Sequence, residues 1–199
     1  MLLFASTITN LTDARYFAAR EVDFLGFNLE AGTPGYLDPI YMKAMREWVE
    51  GPGIAGEFSR ADAETVREAL EFYGLDAVLL HGAGYLPQLP VLEGKTVLLE
   101  LDAAAGPEAV GPIMRQAAPW VRWFVLHFPN APKDEDAAAW KTLTAQFPAL
   151  LQLSVPPETL PALLADWQPA GILLRGGEEQ QVGVKSFDEI EEIFEALEK

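Results

Sequence analysis

The stretch Leu75-Asp76-Ala77-Val78-Leu79-Leu80-His81-Gly82 shows the repeating unit of this chain. It follows Gly74, which stands where a C-terminal glycine ends a helix predicted from Asp62 to Tyr73. A continuous apolar run of this length is typical of a strand that is covered on both faces of a parallel sheet. Val22-Asp23-Phe24-Leu25 repeats the same transition, so we expect helix–strand units to recur along the chain.

Short apolar runs alternate with amphipathic segments over the whole sequence, as in βα units around a parallel sheet. About eight such units, with no Pro/Gly/Ser-rich linker between them, predict a single (βα)8 TIM barrel of the α/β class over residues 1–199. A doubly wound open sheet is the alternative. The predicted strands are Leu2–Ser6, Phe24–Leu29, Gly53–Phe58, Ala77–His81, Thr96–Leu101, Arg122–Phe128, Leu150–Ser154 and Gly171–Arg175.

Local signals place several helices between these strands. Asp38-Pro39 supplies an N-cap with proline at the first helical position. Ser186 with Glu189 forms a capping box before a last amphipathic helix. The connection from Gly84 to Gly94 contains two prolines, so its helix is expected to be short or irregular.

Composition restricts the partners of this protein. The net charge is -16, from 14 basic and 30 acidic residues, and such a field repels nucleic acid and anionic membrane surfaces. The chain has no cysteine, which excludes disulfides, thiolate metal sites and thiol nucleophiles. The apolar runs are strand-sized, and the N-terminal apolar segment is too short for a signal peptide. We therefore expect a cytoplasmic protein with no membrane or nucleic-acid partner; the sequence does not indicate its oligomeric state.

The segment Ile8–Arg15, directly after the first strand, resembles the opening of phosphoribosylanthranilate isomerase, a small barrel enzyme of tryptophan biosynthesis. Leu75–Gly82 is similar to that family's Asp-Ala-Val-Gln-Leu-His-Gly, and Thr33–Pro39 to its Ser-Pro-Arg-Tyr-Val-Ser-Pro. Gly171–Lys185 parallels its last strand and loop. The resemblance spans the chain and implies common ancestry and a closed barrel.

The residues that the family uses for catalysis are replaced. The resemblance implies a cysteine base within Lys-x-Cys-Gly, where this chain reads Phe4-Ala5-Ser6-Thr7. It implies an aspartate acid at the end of the sixth strand, where His127 stands in the stretch Leu126-His127-Phe128. A hydroxyl with no basic partner does not replace a thiolate, whereas His127 is able to donate a proton near neutral pH.

The implied binding residues change as well. The family's arginine before Tyr36 is Gly35, and its glutamine before Leu80 is Leu79. Barrels of this kind bind phosphate through backbone N–H groups after strands seven and eight. The resemblance implies a Gly-Gly pair after strand seven, where this chain reads Leu153-Ser154, followed by two prolines. The Gly-Gly pair implied after strand eight is kept as Gly176-Gly177, directly after Arg175. Half of a phosphate site is therefore expected to remain.

Polar residues at the predicted strand ends are the candidate site. Glu57 is either a buried general base or a carboxylate paired with Arg60 or Arg175. Glu100 and Asp102 share strand parity. Either they form a carboxylate pair for acid/base work or a divalent cation site, or one faces the barrel mouth while the other caps the next helix. The ligand-binding candidates are His81, Ser154, Arg175, Gly176 and Gly177, and the catalytic candidates are Ser6, His127 and Glu57.

The two histidines admit two interpretations. With Glu57 or Glu100 they offer metal-ligand chemistry, but neither HxH nor HExxH spacing is present, so no metal and no cofactor are expected. Structural hydrogen bonding is the favoured role for His81. Arg175 either holds a phosphate or carboxylate, or balances Glu57, Glu178 or Glu179.

Three hypotheses follow for the function. The first is a pseudoenzyme, an isomerase-like barrel that has lost the family's reaction and binds a small molecule, including a phosphorylated one, or a partner. The second is an active isomerase of phosphoribosylanthranilate or a related aldose–ketose substrate with a rebuilt acid/base site. The third is a purely structural subunit, which would require an exposed apolar patch on the helical face.

Overall fold

Eight parallel strands close into a barrel in the computed structural model, which describes residues 1–153, 155–175 and 187–197. Each strand pairs with the next in sequence, and the last pairs with the first through all five of its residues. This confirms the predicted (βα)8 barrel and excludes the open sheet. The strands are β1 Leu2–Ser6, β2 Phe24–Asn28, β3 Gly53–Phe58, β4 Ala77–His81, β5 Val97–Asp102, β6 Trp123–Phe128, β7 Ala149–Leu153 and β8 Gly171–Arg175.

Helices connect the strands on the outside of the barrel. The connection between β4 and β5 is the 3-10 helix Ala83–Leu92, which confirms the irregular helix predicted from its two prolines. Within the described ranges, no helix has the length and apolar character needed to cross a membrane. The α-helices are α1 Leu11–Ala19, α2 Pro39–Arg46, α3 Ala63–Tyr73, α4 Pro107–Ala117, α5 Asp134–Gln146, α6 Leu160–Trp167 and α7 Asp188–Leu197.

Two of the three helix boundaries predicted from capping residues are found in the described residues. The Asp38 carboxylate accepts the N–H of Ile40 at 2.8 Å and caps α2, with Pro39 as its first residue. Gly74 ends α3 in the left-handed conformation, with φ of 61° and ψ of 48°. The predicted capping box of Ser186 and Glu189 lies outside the described residues.

Four predicted strands differ from the observed ones by one residue at one or both ends. β2 ends at Asn28 instead of Leu29, because the Asn28 side chain donates to Thr33 Oγ1 and Pro34 O and accepts the N–H of Glu30. These bonds turn the chain away from the sheet. The other differences are end shifts: β5 spans Val97–Asp102, β6 starts at Trp123, and β7 spans Ala149–Leu153.

The hydrophobic core has two layers. A large layer lies between the barrel and its helices, and a smaller cluster fills the barrel lumen. Trp123 belongs to the lumen and contacts Phe24 edge to face, with ring centroids 6.1 Å apart. Trp120, just before β6, packs instead against the layer between the barrel and its helices. The lumen cluster consists of Phe4, Ala55, Ala77, Leu79, Leu98, Val125, Leu150 and Leu173.

Gly171 closes the barrel at the seam between β8 and β1. A Cβ at this position would lie 2.0 Å from the backbone oxygen of Leu2, its register partner. Gly171→Ala should therefore lower the free energy of unfolding by about 1–3 kcal/mol, as overpacking against a backbone atom does. Chemical denaturation measures the change.

Gly84→Ala is the matched control, since a Cβ at Gly84 meets no atom within 4 Å. It should change stability by less than about 0.5 kcal/mol. Equal losses in the two variants would contradict a seam that requires glycine.

Candidate active site at the barrel mouth

A ring of polar side chains lies at the C-terminal end of the barrel. In a strand, residues two apart point to the same side, so the residue two positions after each lumen residue also faces inward. Seven of the lumen residues are followed in this way by polar or charged residues at the strand ends, where barrel enzymes place their sites. These residues are Ser6, Glu57, His81, Glu100, His127, Gln152 and Arg175.

Three members of the ring form a chain of ion pairs. Nδ1 of His81 lies 3.1 Å from Oε2 of Glu100, and its Nε2 lies 3.8 Å from Oε2 of Glu57. Burial lowers the pKa of His81, but polar and charge interactions with Glu100 and Glu57 outweigh it and raise the pKa to about 9. His81 is therefore an imidazolium at neutral pH, held between two carboxylates.

Glu57 is buried, with 2 % of its surface exposed. Its Oε1 accepts the N–H of Thr7 at 2.8 Å, and its Oε2 accepts the Thr7 hydroxyl at 3.4 Å. The carboxylate fits because β2 has glycine beside it: a Cβ on Gly26 would lie 2.1 Å from Oε1. Glu57 thus links the end of β3 to the loop after β1.

The ion pair predicted between Glu57 and Arg60 or Arg175 is not found among the described residues. Arg60 is held elsewhere, since its guanidinium donates to Gly32 O and its backbone N–H to the carboxylate of Glu30. His81, at the end of the adjacent strand, pairs with Glu57 instead. The predicted role of Glu57 as a general base stays a prediction, with the carboxylate enclosed as described.

Ser6 and Thr7 occupy the positions of Cys-Gly in the family motif. Ser6 is 1 % exposed, and its Oγ lies 3.1 Å from Thr7 Oγ1. Thr7 has φ of 57°, a left-handed conformation that glycine adopts freely and a β-branched residue rarely does. Thr7 therefore has a backbone conformation that is usual for glycine and rare for threonine.

Thr7 also shapes the loop after β2. A Cβ on Gly35, itself at φ of 75°, would lie 2.8 Å from Thr7 Cγ2. Gly35 stands where the resemblance implies an arginine, and neither its backbone conformation nor the space beside Thr7 suits a side chain. The residue types at positions 7 and 35 thus depend on each other, because the Thr7 side chain occupies the space that a side chain at Gly35 would need.

Glu100 interacts with the basic groups across the mouth. Burial raises the pKa of Glu100, but His81, Arg175 and His127 outweigh it and hold this pKa below its ordinary value. Asp102, two residues later, accepts the N–H of Ala104 at 2.9 Å and caps a short 3-10 helix. Of the two arrangements predicted for this pair, the structure shows the helix cap, with Glu100 at the mouth.

Two buried acceptors in the ring have no hydrogen-bond donor within the described part of the chain. They are Oε1 of Gln152 and Oε2 of Glu100, although the latter lies 3.1 Å from Nδ1 of His81 and pairs with it by charge. The catalytic and ligand-binding candidates predicted from the sequence do not include Gln152. A glutamine within the apolar run Ala149–Leu153, at lumen parity, is the signal that marks it.

The structure therefore gathers five of the predicted site residues at the mouth: Ser6, Glu57, His81, His127 and Arg175. Ser154, Gly176 and Gly177, the predicted half phosphate site, lie outside the described residues. Within the described residues, no three His, Asp or Glu side chains are arranged to hold a metal ion.

Exposed apolar side chains lie on α2, just after α2, and on α3. Ile40, Tyr41, Trp48 and Phe72 are all largely exposed. Basic groups cover two of the rings, with Arg15 5.5 Å from the Trp48 centroid and Lys43 5.1 Å from that of Phe72. Such cation–π contacts are compatible with a solvated face.

Comparisons with known proteins identify the fold. No family model and no curated protein matches the chain. Solved phosphoribosylanthranilate isomerases superpose over all of it: that of Thermus thermophilus with TM-score 0.77 and 24% identity, and that of Thermotoga maritima with 0.79 and 18%. The chain covers 98% and 99% of those proteins. The isomerase of Pyrococcus furiosus matches with 0.76 and 13%. The protein thus has the phosphoribosylanthranilate-isomerase-like barrel that the sequence resemblance implied.

The raised pKa of His81 makes stability depend on pH. Its contribution is present in full below the ordinary value of 6.5 and is lost as the pH rises through about 9. The free energy of unfolding should therefore fall by up to about 3 kcal/mol over this interval. Glu100 acts in the opposite sense, because its lowered pKa gives stability that is lost in acid.

Urea unfolding across this pH range measures the effect in the wild type, in His81→Gln and in the control His127→Gln. His81→Gln should lose the alkaline decline, and the control should keep it. An unchanged decline in His81→Gln would show that another group causes it.

Proposed function

We propose that this protein is a pseudoenzyme of the phosphoribosylanthranilate isomerase type: a barrel that does not catalyse the family's rearrangement and binds a small molecule at its mouth. The observation that carries the proposal is the environment of Ser6. Its hydroxyl is buried, contacts the hydroxyl of Thr7, and has no basic group as hydrogen-bond partner among the described residues. A base must reach the proton that it removes, so Ser6 does not serve as one.

The other ionisable groups at the mouth support the same conclusion. Glu57 receives the N–H of Thr7, and both Glu57 and Glu100 flank the His81 imidazolium. Groups that neutralise one another in a buried ion-pair chain are poor proton donors and acceptors for a substrate at neutral pH. This arrangement favours a binding site over the alternative, an isomerase with a rebuilt acid/base pair.

A phosphorylated small molecule is the proposed class of ligand. Arg175 ends β8 with an exposed side chain, and a guanidinium fork suits a phosphate. Arg175 follows the lumen residue Leu173 by two positions, which supports an inward orientation, and its charge acts on Glu100. The guanidinium of Arg175 offers a local positive charge to an anionic ligand in a chain whose net charge of -16 otherwise repels anions.

The purified protein should not convert phosphoribosylanthranilate, and its gene should not rescue an isomerase-deficient strain. Ser6→Cys should be equally inactive, because Gly35, Leu79 and His127 still stand where the resemblance implies the binding and acid residues. Turnover is followed by fluorescence, with a Ser6→Ala variant as background. Turnover of the wild type above that background would refute the proposal.

Binding should depend on Arg175. The probe is D-ribose 5-phosphate, titrated by calorimetry into the wild type, Arg175→Gln and the control Arg115→Gln on the outer helix α4. Loss of a charged hydrogen bond at the mouth should weaken binding about tenfold, which corresponds to roughly 1.4 kcal/mol. Equal affinities in the three proteins would show that Arg175 does not contribute to binding of the probe.

A further inference from the structure

An apolar groove lies between α1 and α2, on the outside of the barrel. Its volume is about 420 Å³. Tyr41 and Trp48 line it, although 67 % and 65 % of their surfaces are exposed. Leu11, Ala44 and Met45 are further apolar residues of its wall. Covering such side chains is favourable, so an exposed apolar groove on the helical side of a barrel indicates a docking surface.

The sequence of α2 explains why this groove is left uncovered by the fold. Met42 and Met45 are the buried residues of the helix and hold it against the barrel. Tyr41, Ala44 and Trp48 recur at helical spacing, so they lie on one side of α2 and of the turn that follows it. The helix therefore makes its core contacts through its methionines and carries a second apolar side that the core does not use.

Two cations lie beside the groove without a carboxylate partner. Arg15, one helical turn after Leu11, has its guanidinium 5.5 Å from the centroid of the Trp48 ring. Lys43 reaches from α2 toward α3, with Nζ 5.1 Å from the centroid of Phe72. Neither cation pairs with a carboxylate in residues 1–153, 155–175 or 187–197, although the chain has 30 acidic residues and 14 basic ones. The groove thus combines an apolar floor with positive charge at its edges.

We propose that this groove is a docking site for an acidic amphipathic helix of another protein. An apolar side chain of the partner enters between Tyr41 and Trp48, and carboxylates beside it pair with Arg15 and Lys43. Recognition of a helix in a groove uses this combination of apolar anchors and a charged rim. The surface lies on the helical side and not at the barrel mouth, so the inference goes beyond the proposed function and does not depend on its ligand.

Charge and shape favour this occupant over two others. A second copy related by a two-fold axis would bring the same surface against itself, and with it Arg15 and Lys43. Like charges that face each other across an interface are unfavourable. A lipid surface requires apolar side chains that insert into it, whereas Tyr41 and Trp48 are walls of a concave groove.

Two displayed peptide libraries test the proposal. Both consist of amphipathic peptides of about 16 residues, long enough to form a helix, with randomised apolar positions. The charged positions are glutamate in one library and lysine in the other. The wild-type protein should select binders from the glutamate library only. Selection from the lysine library, or from neither library, would overturn the proposal.

Surface variants test where the selected glutamate peptide binds. Fluorescence anisotropy should show that Trp48→Ala and Arg15→Glu each weaken its binding at least about tenfold. Both side chains are exposed, so the fold tolerates the changes. Val91→Ala and Lys133→Glu are the matched controls, an exposed apolar residue and an exposed cation elsewhere on the surface, and should bind as the wild type does. Equal affinities in the wild type and Trp48→Ala would contradict the assignment of the groove.

Sedimentation measurements test the other two occupants. The wild type should not form a dimer that Trp48→Ala dissociates, and it should not sediment with vesicles of phosphatidylcholine, with or without phosphatidylserine. Either result would replace the acidic helix by a second copy or by a lipid surface and would overturn the proposal. Binding of D-ribose 5-phosphate is measured at the mouth and is independent of Trp48, so failure of the docking site leaves the proposed function intact.

Discussion

The ion-pair chain of Glu57, His81 and Glu100 is the interaction on which the barrel mouth depends. It connects the ends of β3, β4 and β5 and lies just above the apolar lumen. Two carboxylates in such a place would be costly without a charge between them. The imidazolium supplies that charge, so the chemistry of the mouth is set by pairing within the protein.

The residues around this chain are adapted to it. Gly26 leaves the space that the Glu57 carboxylate occupies, and Thr7 turns its N–H toward the same carboxylate from a left-handed conformation. Thr7 in turn leaves no room for a side chain at Gly35. Ser6, Thr7 and Gly35 are therefore parts of one packing arrangement, and a substitution at one of these positions would disturb the others.

The sequence predicts the barrel well because the fold depends on local alternation. Apolar runs after helix stops predict all eight strands, four of them to the residue, and parity alone predicts that Ser6, Glu57 and His127 face the mouth. The contacts across the mouth were less predictable. Which cation pairs with Glu57 depends on the neighbouring strand, and His81, on β4 beside β3, occupies the place that had been assigned to an arginine.

Other features escaped prediction for related physical reasons. The conformation of Thr7 has no signal in its own residue type, since threonine favours extended backbone. From the sequence, Gln152 is a single polar residue in an apolar strand; its burial and the absence of a donor among residues 1–153, 155–175 and 187–197 are visible only in the structure. The side on which Trp123 packs is not predictable from the sequence, because a large aromatic residue at a strand start suits either face of the sheet.

The titration of the two histidines by NMR tests the central claim most directly. If the carboxylates hold His81 as an imidazolium, its ring protons should titrate with a midpoint at about 9, and Glu57→Gln should lower that midpoint. His127→Gln assigns the resonances and should leave the midpoint of His81 near its wild-type value. A His81 midpoint at or below the ordinary value of 6.5 would contradict the ion-pair chain. His81 would then be available as an acid or base at neutral pH.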